Sequence, residues 1–282
     1  KVIDQSCIIR TFKEVVGDKY KIKHLSIQPT LDERQLQETI LEEFYKIVYN
    51  YYNNTGRSRK ESALRIIRQL QLLIKSCSMP QTFDEYLGRG CSKMSRITKL
   101  VKDNNEKIII GCVTLDAVHA YYGEIQSMFF RPTYIITGST SFKKRKDILK
   151  QFESTINGVL VCTQQSLKSS VNVPSCNIVV CESMQWNLPK MSQFYFRCIR
   201  FNSKENTDVY FVTYKDSIED NLLSLLMSKE RINRSLKLDE KETKQKSNPV
   251  VFWIIAIIAL IFGIWFSWLI IKGWNPLDGT LA

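Results

Sequence analysis

The spacing of hydrophobic and polar residues divides the chain into three stretches. In the first, apolar residues recur at the three- and four-residue intervals of amphipathic helices, most clearly over residues 30–49 and 58–77. The first of these helices opens on a capping-box sequence, because Glu33 follows Thr30 at the required distance. We therefore predict a helical segment over residues 1–88.

In the second stretch, residues 89–235, short apolar runs alternate with amphipathic segments. Residues 108–113 read IIIGCV, which is typical of a strand buried on both faces. Strands that alternate with helices predict an α/β domain, with a mostly parallel sheet covered by helices on both sides. The predicted strands are residues 108–113, 134–137, 158–162, 177–181 and 208–214.

The third stretch is charged and then wholly apolar. Residues 236–249 form a charged linker, and residues 250–271 follow without a single charged side chain. A helix of this length spans about 33 Å, which is enough to cross a bilayer core of about 30 Å. We predict one transmembrane helix over residues 250–272 and a short tail over residues 273–282. A long buried core helix is the alternative.

The charges beside the predicted span indicate its orientation. A cluster of basic residues precedes the span, and only Lys272 follows it closely. Because positive charge favours the inner side of a membrane, we expect a single-pass membrane protein whose large N-terminal part is cytoplasmic. If the anchor is not used, a viral location, or the nucleus or cytoplasm of a host, is the alternative. The basic residues are Arg231, Arg234, Lys237, Lys241, Lys244 and Lys246.

The net charge of the chain indicates a polyanionic partner. Among 282 residues there are 40 Lys and Arg against 28 Asp and Glu, which gives a formal charge of +12. Nucleic acid is one candidate, because cations near phosphates release condensed counterions. An anionic membrane surface, or simply a basic protein without such a partner, is the alternative.

Several motif classes are absent from the sequence. The 8 cysteines are scattered singly beside only 2 histidines, so zinc-ligand spacing is missing and free thiols in a reducing compartment are expected. No G-x-x-x-x-G-K-[ST], G-x-G-x-x-G or G-x-S-x-G sequence occurs. The α/β domain is therefore not expected to bind a nucleoside triphosphate by itself.

Three polar residues near the end of the α/β domain share a helical spacing. Gln193, Arg197 and Arg200 fall at i, i+4 and i+7 of a helix predicted near residues 189–200, which places them on one face. Two guanidinium groups on one face suit an anion such as the γ-phosphate of ATP held by a facing lobe. A solvated basic stripe is the alternative.

Eight short motifs follow one another along residues 8–235. They are Ile8-Ile-Arg-Thr11; Leu64-Arg65 with Cys77–Pro80; Ser92-Lys93 with residues 107–112; Gly138-Ser-Thr-Ser141 with Arg145 and Phe152; Val161-Cys-Thr163 with Val171-Asn-Val173; Trp186-Asn187; Gln193, Arg197 and Arg200; and Ser217-Ile-Glu219. In this order they resemble the C-terminal RecA-like lobe of Swi/Snf-type ATPases, within the superfamily-two helicases. The resemblance implies a RecA-like parallel sheet with flanking helices, behind an inter-lobe helical segment.

The resemblance also implies a role for each residue of the sixth motif. Arg197 and Arg200 fall where the family places its arginine fingers, with Gln193 orienting them, and Asn172 joins both arginines in contacting ATP. The chain would be the second motor lobe of an ATP-dependent nucleic-acid translocase or helicase. It would depend on an N-terminal first lobe, which also supplies the Mg²⁺ site.

Contacts to nucleic acid are expected from the loops of the fourth and fifth motifs. The candidates are Thr114 and Thr163, supported by a basic patch of Lys143, Lys144, Arg145 and Lys146, in which a structural role is the alternative for Arg145. Such contacts reach backbone phosphates, so they would be sequence-independent and sensitive to salt. Double-stranded DNA is the expected partner, and an ordinary solvated helix start is the alternative for the lysines.

The sequence also departs from the family pattern. Leu167-Lys-Ser-Ser170 stands where the family has a glycine-rich loop, and Asn202-Ser203 replaces the Gly-Gln after the second arginine. Glycines would allow a closer backbone approach to a ligand than these residues do. The alternative function is therefore a catalytically inactive, membrane-anchored module that binds nucleic acid or protein. A strand-separating helicase is a further alternative.

Overall fold

A sheet of six parallel strands organises the computed structural model, which describes residues 19–128, 131–167, 176–185, 188–199 and 206–235. The strands are β1 (Tyr20–Ile27), β2 (Ile108–Cys112), β3 (Thr133–Ile136), β4 (Val159–Thr163), β5 (Ile178–Cys181) and β6 (Thr207–Tyr214). The helices are α1 (Leu31–Asn53), α2 (Gly56–Ser78), α3 (Ser92–Asp103), α4 (Leu115–Met128), α5 (Phe142–Ser154), α6 (Leu188–Cys198) and α7 (Ile218–Ser235). A short 3₁₀ helix covers Pro80–Thr82.

The strands lie in the order β1-β6-β5-β2-β4-β3, and every neighbouring pair is parallel. Strands β2, β4 and β5 occupy the middle of the sheet and are almost completely buried. Their unbroken Ile and Val runs follow from this position, since helices cover both faces. The predicted RecA-like α/β fold with flanking helices is confirmed.

Alternate residues of the central strands enter two separate layers of the core. On one face, Ile109 and Leu160 pack with Phe152 of α5 and Phe194 of α6. On the other face, residues such as Ile110 pack with the buried apolar side chains of α3 and α4. The two-residue period of a strand produces this division, because successive side chains point to opposite sides.

Helices α1 and α2 form an antiparallel helical hairpin of 23 residues each. Their facing apolar rows include Phe44 and Ile47 on α1 and Ile66 and Leu70 on α2, all buried. The predicted capping box at the start of α1 is present: Thr30 Oγ1 accepts from Glu33 N, and Glu33 Oε2 accepts from Thr30 N. These bonds satisfy backbone donors that a helix start leaves open.

Strand β1 was not among the predicted strands. It pairs with β6 at the edge of the sheet, within the segment assigned as helical. Its residues alternate between partly buried and exposed, and Lys21 and Lys23 interrupt its apolar positions. An edge strand needs only one weakly apolar side, so its sequence lacks the continuous run that identifies a central strand.

Two further predictions concern the end of the chain. No helix within the described residues is long and apolar enough to cross a membrane. The predicted span over residues 250–271, with its linker and tail, lies outside the described residues and stays a prediction, as does the expected membrane location.

Candidate functional site

Loops from four neighbouring strands meet at the carboxyl edge of the sheet. Thr114 follows β2, Thr163 ends β4, the lysine-rich start of α5 follows β3, and α6 follows β5. Since β5, β2, β4 and β3 are adjacent and parallel, their carboxyl ends form one continuous edge. Ligands of open α/β sheets bind at such an edge. The topology therefore brings the predicted elements to one side of the lobe.

Helix α6 buries one face and leaves Gln193 and Arg197 on the other. Phe194 and Cys198 are fully buried in the core, whereas Gln193 is exposed and Arg197 is half-buried. No carboxylate of the described residues pairs with Arg197. The predicted i, i+4 pair is thus on the side of α6 that faces away from the core.

The helix that carries two of the three predicted residues is observed as Leu188–Cys198, against a predicted helix near residues 189–200. Arg200 and Asn172 both lie outside the described residues, and their predicted roles stay predictions. The motifs Ile8–Thr11 and Trp186-Asn187 lie outside them as well.

The close approach of α6 to the sheet depends on Gly111 in β2. A Cβ atom at Gly111 would lie well inside contact distance of the Phe194 ring. Only glycine leaves room for this ring, so the side chain of Phe194 reaches the strand backbone. Gly111 therefore sets the depth at which the helix that carries Arg197 is seated.

The hydroxyl groups of the two predicted threonines bond within their own loops. Thr114 Oγ1 accepts a hydrogen bond from Ala117 N at 3.3 Å, at the start of α4. Thr163 Oγ1 bonds the Oγ of Ser166 in the turn after β4. Both threonine side chains are partly exposed. They order the loops of the fourth and fifth motifs, and a contact to phosphate would have to share these hydroxyl groups.

The three predicted lysines are exposed on the first turns of α5. Lys143, Lys144 and Lys146 carry no ion pair with a carboxylate of the described residues. Ser141 caps this helix by accepting from Lys144 N at 3.4 Å. No acidic residue stands in the first turn of α5. The patch is therefore positively charged and open to solvent.

Arg145, between these lysines, points inward instead. Its Nη1 donates to Ser166 O at 2.7 Å, and its Nη2 donates to Thr137 O at 3.3 Å and Thr140 O at 3.2 Å. One buried guanidinium thus ties the loop after β3 to the turn after β4. Arg145 is therefore not part of the exposed basic patch, because its guanidinium is buried in these backbone contacts, and the alternative of a structural role is the correct one.

Gln164 is a site residue that the sequence pattern did not indicate. It is fully buried, and its Nε2 donates to Gly111 O at 3.1 Å and to Ser183 O at 2.9 Å. Its Oε1 accepts from Gln185 Nε2. One side chain therefore joins the ends of β2, β4 and β5. Its position directly after Thr163 could have indicated that Gln164 belongs to the site. The sequence pattern gave no indication of its hydrogen-bond partners.

A buried ion pair lies beneath the same edge. Lys93 Nζ is 2.5 Å from Glu219 Oε2 and donates to Glu182 O at 3.2 Å, and all three side chains are fully buried. Burial raises the pKa of Glu219 to about 7, although Lys93 opposes this shift. Burial would lower the pKa of Lys93, but the carboxylates of Glu219 and Glu182 outweigh it and raise that pKa. Two of the eight motifs meet in this pair.

Glu33 fastens the helical hairpin to the sheet. Its Oε1 accepts from Ser92 N at 2.7 Å and from the hydroxyl of Tyr214 at 2.8 Å, and its Oε2 accepts from Ser92 Oγ at 2.6 Å. Burial disfavours the carboxylate form of Glu33, but these hydrogen bonds stabilise it by more, so the pKa of Glu33 is lowered. The base of the hairpin is therefore held by a charged, hydrogen-bonded carboxylate.

No group of three or more His, Cys, Asp or Glu side chains within the described ranges could hold a metal ion. The seven described cysteines are free thiols, and all of them are buried. Burial raises the pKa of Cys162 and Cys181 well above the ordinary thiol value. These thiols therefore behave as core residues.

Comparison with protein families identifies one domain. Residues 92–202 match the family described as "Helicase conserved C-terminal domain". The match covers α3 through the sixth-motif segment, so it includes the loops at the carboxyl edge of β2, β3, β4 and β5.

Curated relatives share sequence with a larger part of the chain. The ISWI chromatin-remodeling complex ATPase ISW1 of Saccharomyces cerevisiae is 24% identical over 211 residues, which cover 68% of this chain and 18% of that protein. An uncharacterized ATP-dependent helicase of Mycoplasma pneumoniae is 21% identical over 175 residues, which cover 61% of this chain and 17% of that protein. The chain thus spans less than a quarter of the length of these two relatives.

Solved structures share the fold. The C-terminal domain of the SWI2/SNF2 ATPase of Sulfolobus solfataricus superposes with a TM-score of 0.58 and 17% identity, covering 78% of this chain and 90% of that one. The core of the same ATPase in complex with dsDNA superposes with a TM-score of 0.57 and 20% identity, covering 76% of this chain and 44% of that one.

Proposed function

Because this chain contains a C-terminal RecA-like lobe of the Swi/Snf type, we propose that it is the second motor lobe of an ATP-dependent translocase on double-stranded nucleic acid. The observation that carries this proposal is the exposed face of α6. Gln193 and Arg197 lie on the side of α6 that faces away from the core, and no described carboxylate forms an ion pair with Arg197. A guanidinium in this setting suits the oxygens of a phosphoryl group.

In this proposal ATP lies between two lobes, and the first lobe holds both the triphosphate and Mg²⁺. Arg197, together with Arg200, stabilises the negative charge that develops on the transferring γ-phosphoryl group. Gln193 orients this network. The lobe alone is then inactive, and turnover requires the closure of both lobes.

The loops beside α6 would hold the nucleic acid. Lys143, Lys144 and Lys146 supply a basic patch after β3, two strands away from β2, and Thr114 stands between β2 and α4. Such a patch reaches backbone phosphates and reads no base sequence. One of the structural relatives is a SWI2/SNF2 ATPase core in complex with dsDNA, which supports duplex DNA as the partner.

The experiment joins this lobe to its N-terminal ATPase lobe and replaces Arg197 by Ala. We expect ATP turnover stimulated by nucleic acid to fall by about 10³-fold or more, because a finger arginine acts only on transition-state charge. Duplex affinity, measured by fluorescence anisotropy, is expected to stay within about twofold. Lys190→Ala, at an exposed position of the same helix, is the matched control.

Equal losses of turnover and of duplex affinity in Arg197→Ala would contradict the finger role. Turnover that Arg197→Ala leaves unchanged would contradict it as well, and a complete lack of turnover in the unaltered two-lobed protein would favour the alternative of an inactive binding module. The replacement of the family's glycine-rich loop by a sequence that begins at the buried Leu167 is the observation that favours this alternative.

A further inference from the structure

The side chain of Gln164 lies beside the helix that carries Arg197. A Cβ atom at Gly111 of β2 would meet both the Phe194 ring of α6 and the Cγ atom of Gln164. The methylene groups of Gln164 and the ring of Phe194 are therefore neighbours against the same point of the strand backbone. Arg197 follows Phe194 by three residues, which is about one helical turn. Gln164 thus adjoins the part of α6 from which Arg197 projects.

The amide of Gln164 joins β2 to the segment that leads into α6. Its Nε2 donates to Gly111 O at 3.1 Å and to Ser183 O at 2.9 Å, and its Oε1 accepts from Gln185 Nε2. Ser183 and Gln185 both lie between the end of β5 and the start of α6. The amide therefore fixes this connection to the end of the central strand, on the sheet side of the helix.

The backbone of Gln164 is itself held from two sides. Gln164 N donates to Cys112 O at 2.9 Å, just past the end of the β2–β4 pairing. In the turn after β4, Ser166 N donates to Thr163 O at 2.9 Å, and Arg145 Nη1 donates to Ser166 O at 2.7 Å. The turn that carries Gln164 is therefore fixed by β2 and by α5, so the amide acts from a rigid base.

The surroundings of Gln164 make an amide a costly choice for filling space. Gly111 faces the same side of the sheet as Ile109, where the core is built from apolar side chains such as Leu160 and Phe194. Burying an amide there costs free energy unless its polar atoms find partners. A buried polar group whose bonds are all made holds its neighbours in one arrangement. An apolar side chain would fill the same space, but it would leave the segment before α6 unattached.

We propose that Gln164 is a positioning residue for Arg197. Its amide holds the segment that leads into α6, and its methylene groups support the Phe194 ring. Together these contacts set the place of α6 and hence the point that the Arg197 guanidinium reaches. Gln164 contacts neither ATP nor nucleic acid in this role. The inference rests on the proposed function, because it requires Arg197 to act as a finger.

The test replaces Gln164 by Met in the protein that joins this lobe to its N-terminal ATPase lobe. Methionine has nearly the same length but no amide, so the bonds to Ser183 and Gln185 are lost while the space stays filled. We expect kcat of duplex-stimulated ATP hydrolysis to fall at least about tenfold, since a displacement of about 1 Å at a catalytic group costs up to about 10²-fold. KM for ATP and duplex affinity, measured by steady-state kinetics and fluorescence anisotropy, should stay within about twofold.

The variant Gln69→Met is the matched control. Gln69 is also buried, and its Nε2 donates to Ile40 O at 3.1 Å, which joins α2 to α1 away from the sheet edge. Urea unfolding measures how much stability each variant loses. We expect Gln69→Met to keep kcat within about twofold of the unaltered protein. If it lowers kcat as much as Gln164→Met does, the loss reflects general destabilisation and the proposal is overturned.

A double-mutant cycle with Arg197→Lys shows whether Gln164 acts through Arg197. Lysine lacks the planar fork of a guanidinium, so Arg197→Lys lowers kcat by itself. Because both residues then serve one interaction, adding Gln164→Met should lower kcat by less than about a further twofold. A further tenfold loss in the Arg197→Lys background would mean that Gln164 acts elsewhere, and would overturn the positioning role.

Failure of this proposal is distinguishable from failure of the proposed function. If Arg197→Ala abolishes turnover while Gln164→Met keeps kcat within about twofold, the finger role stands and the positioning role is wrong. If Arg197→Ala leaves turnover unchanged, the finger role is wrong, and the positioning role is wrong with it whatever Gln164→Met does.

Discussion

Single buried side chains connect motifs that are far apart in the sequence. Lys93 and Glu219 stand 126 positions apart and form an ion pair with no solvent exposure. Glu182 adds a second buried carboxylate, and one oxygen each of Glu182 and Glu219 has no hydrogen-bond partner. Two carboxylates thus share one ammonium group. Such an arrangement favours the retention of a proton when the chain is folded.

The raised pKa of Glu219 predicts that the folded chain becomes less stable as the pH rises. The pKa of Glu219 is about 7 in the folded chain against an ordinary value of 4.5, so the folded form binds the proton more tightly. The resulting stabilisation is complete below about pH 4.5 and is lost as the pH rises through about 7. We expect the unfolding free energy in urea to be at least about 1 kcal/mol lower at pH 8 than at pH 5.

The variant Glu219→Gln checks the origin of this pH dependence. It is expected to be less stable at every pH, because it leaves Lys93 with a weaker partner, and to lose most of the decline between pH 5 and pH 8. Glu153→Gln changes an exposed carboxyl and should keep the decline. A decline that survives in Glu219→Gln would assign the proton to another group.

At the scale of elements, one glycine sets the position of a helix. The Phe194 ring of α6 rests where a Cβ of Gly111 would lie. Gly111→Ala should therefore push α6 outward, with a loss of about 1–3 kcal/mol in unfolding free energy. We also expect the two-lobed protein to lose ATP turnover, because Arg197 moves with the helix. Urea unfolding and steady-state ATP hydrolysis measure the two effects.

Two further variants separate crowding from a general effect of added methyl groups. Gly123→Ala adds a Cβ on α4 that meets nothing within 4 Å, so it should stabilise the chain by up to about 1 kcal/mol. Phe194→Leu combined with Gly111→Ala should recover part of the lost stability, since a smaller side chain relieves the contact. A neutral Gly111→Ala would show that α6 is not seated by this contact.

The central elements were predictable because their environment imposes a continuous signal. The predicted strand at residues 177–181 is observed as Ile178–Cys181, and the one at 158–162 as Val159–Thr163. Burial on both faces demands apolar residues at every position, which shows directly in the sequence. Strand β1 was not predictable in the same way, since its pairing with β6 in the tertiary structure decides it.

At the scale of the whole molecule, the surplus of positive charge is unevenly distributed. A net charge of +12 alone does not say where a polyanion would bind. The structure places the exposed Lys143, Lys144 and Lys146 at the carboxyl edge of the sheet. The position of these exposed lysines therefore makes the start of α5 the surface to test for binding of a polyanion.

The triple variant Lys143→Ser/Lys144→Ser/Lys146→Ser tests this surface. We expect its affinity for a DNA duplex to fall, and the slope of log affinity against log salt to become shallower by about 0.9 for each phosphate that the variant no longer neutralises. Fluorescence anisotropy at several salt concentrations measures both quantities. Folding should be unaffected, because all three side chains are exposed.

A matched triple variant removes the same charge elsewhere. Lys99, Lys102 and Lys150 are exposed and lie away from the loops at the carboxyl edge, so their replacement by Ser should change the slope little. If both triple variants alter binding equally, the duplex responds to the overall charge and not to the patch at the start of α5.

The sequence by itself determined the α/β class, most strand positions, the cap of α1 and the order of the helicase motifs. Each of these depends on neighbours in the chain, through periodicity, local hydrogen bonds and residue type. The tertiary structure decided that Arg145 turns inward and that Gln164 joins three strand ends. It also decided that Lys93 meets Glu219. These outcomes depend on contacts between distant segments, and no local pattern specifies them until the parallel sheet has brought the segments together.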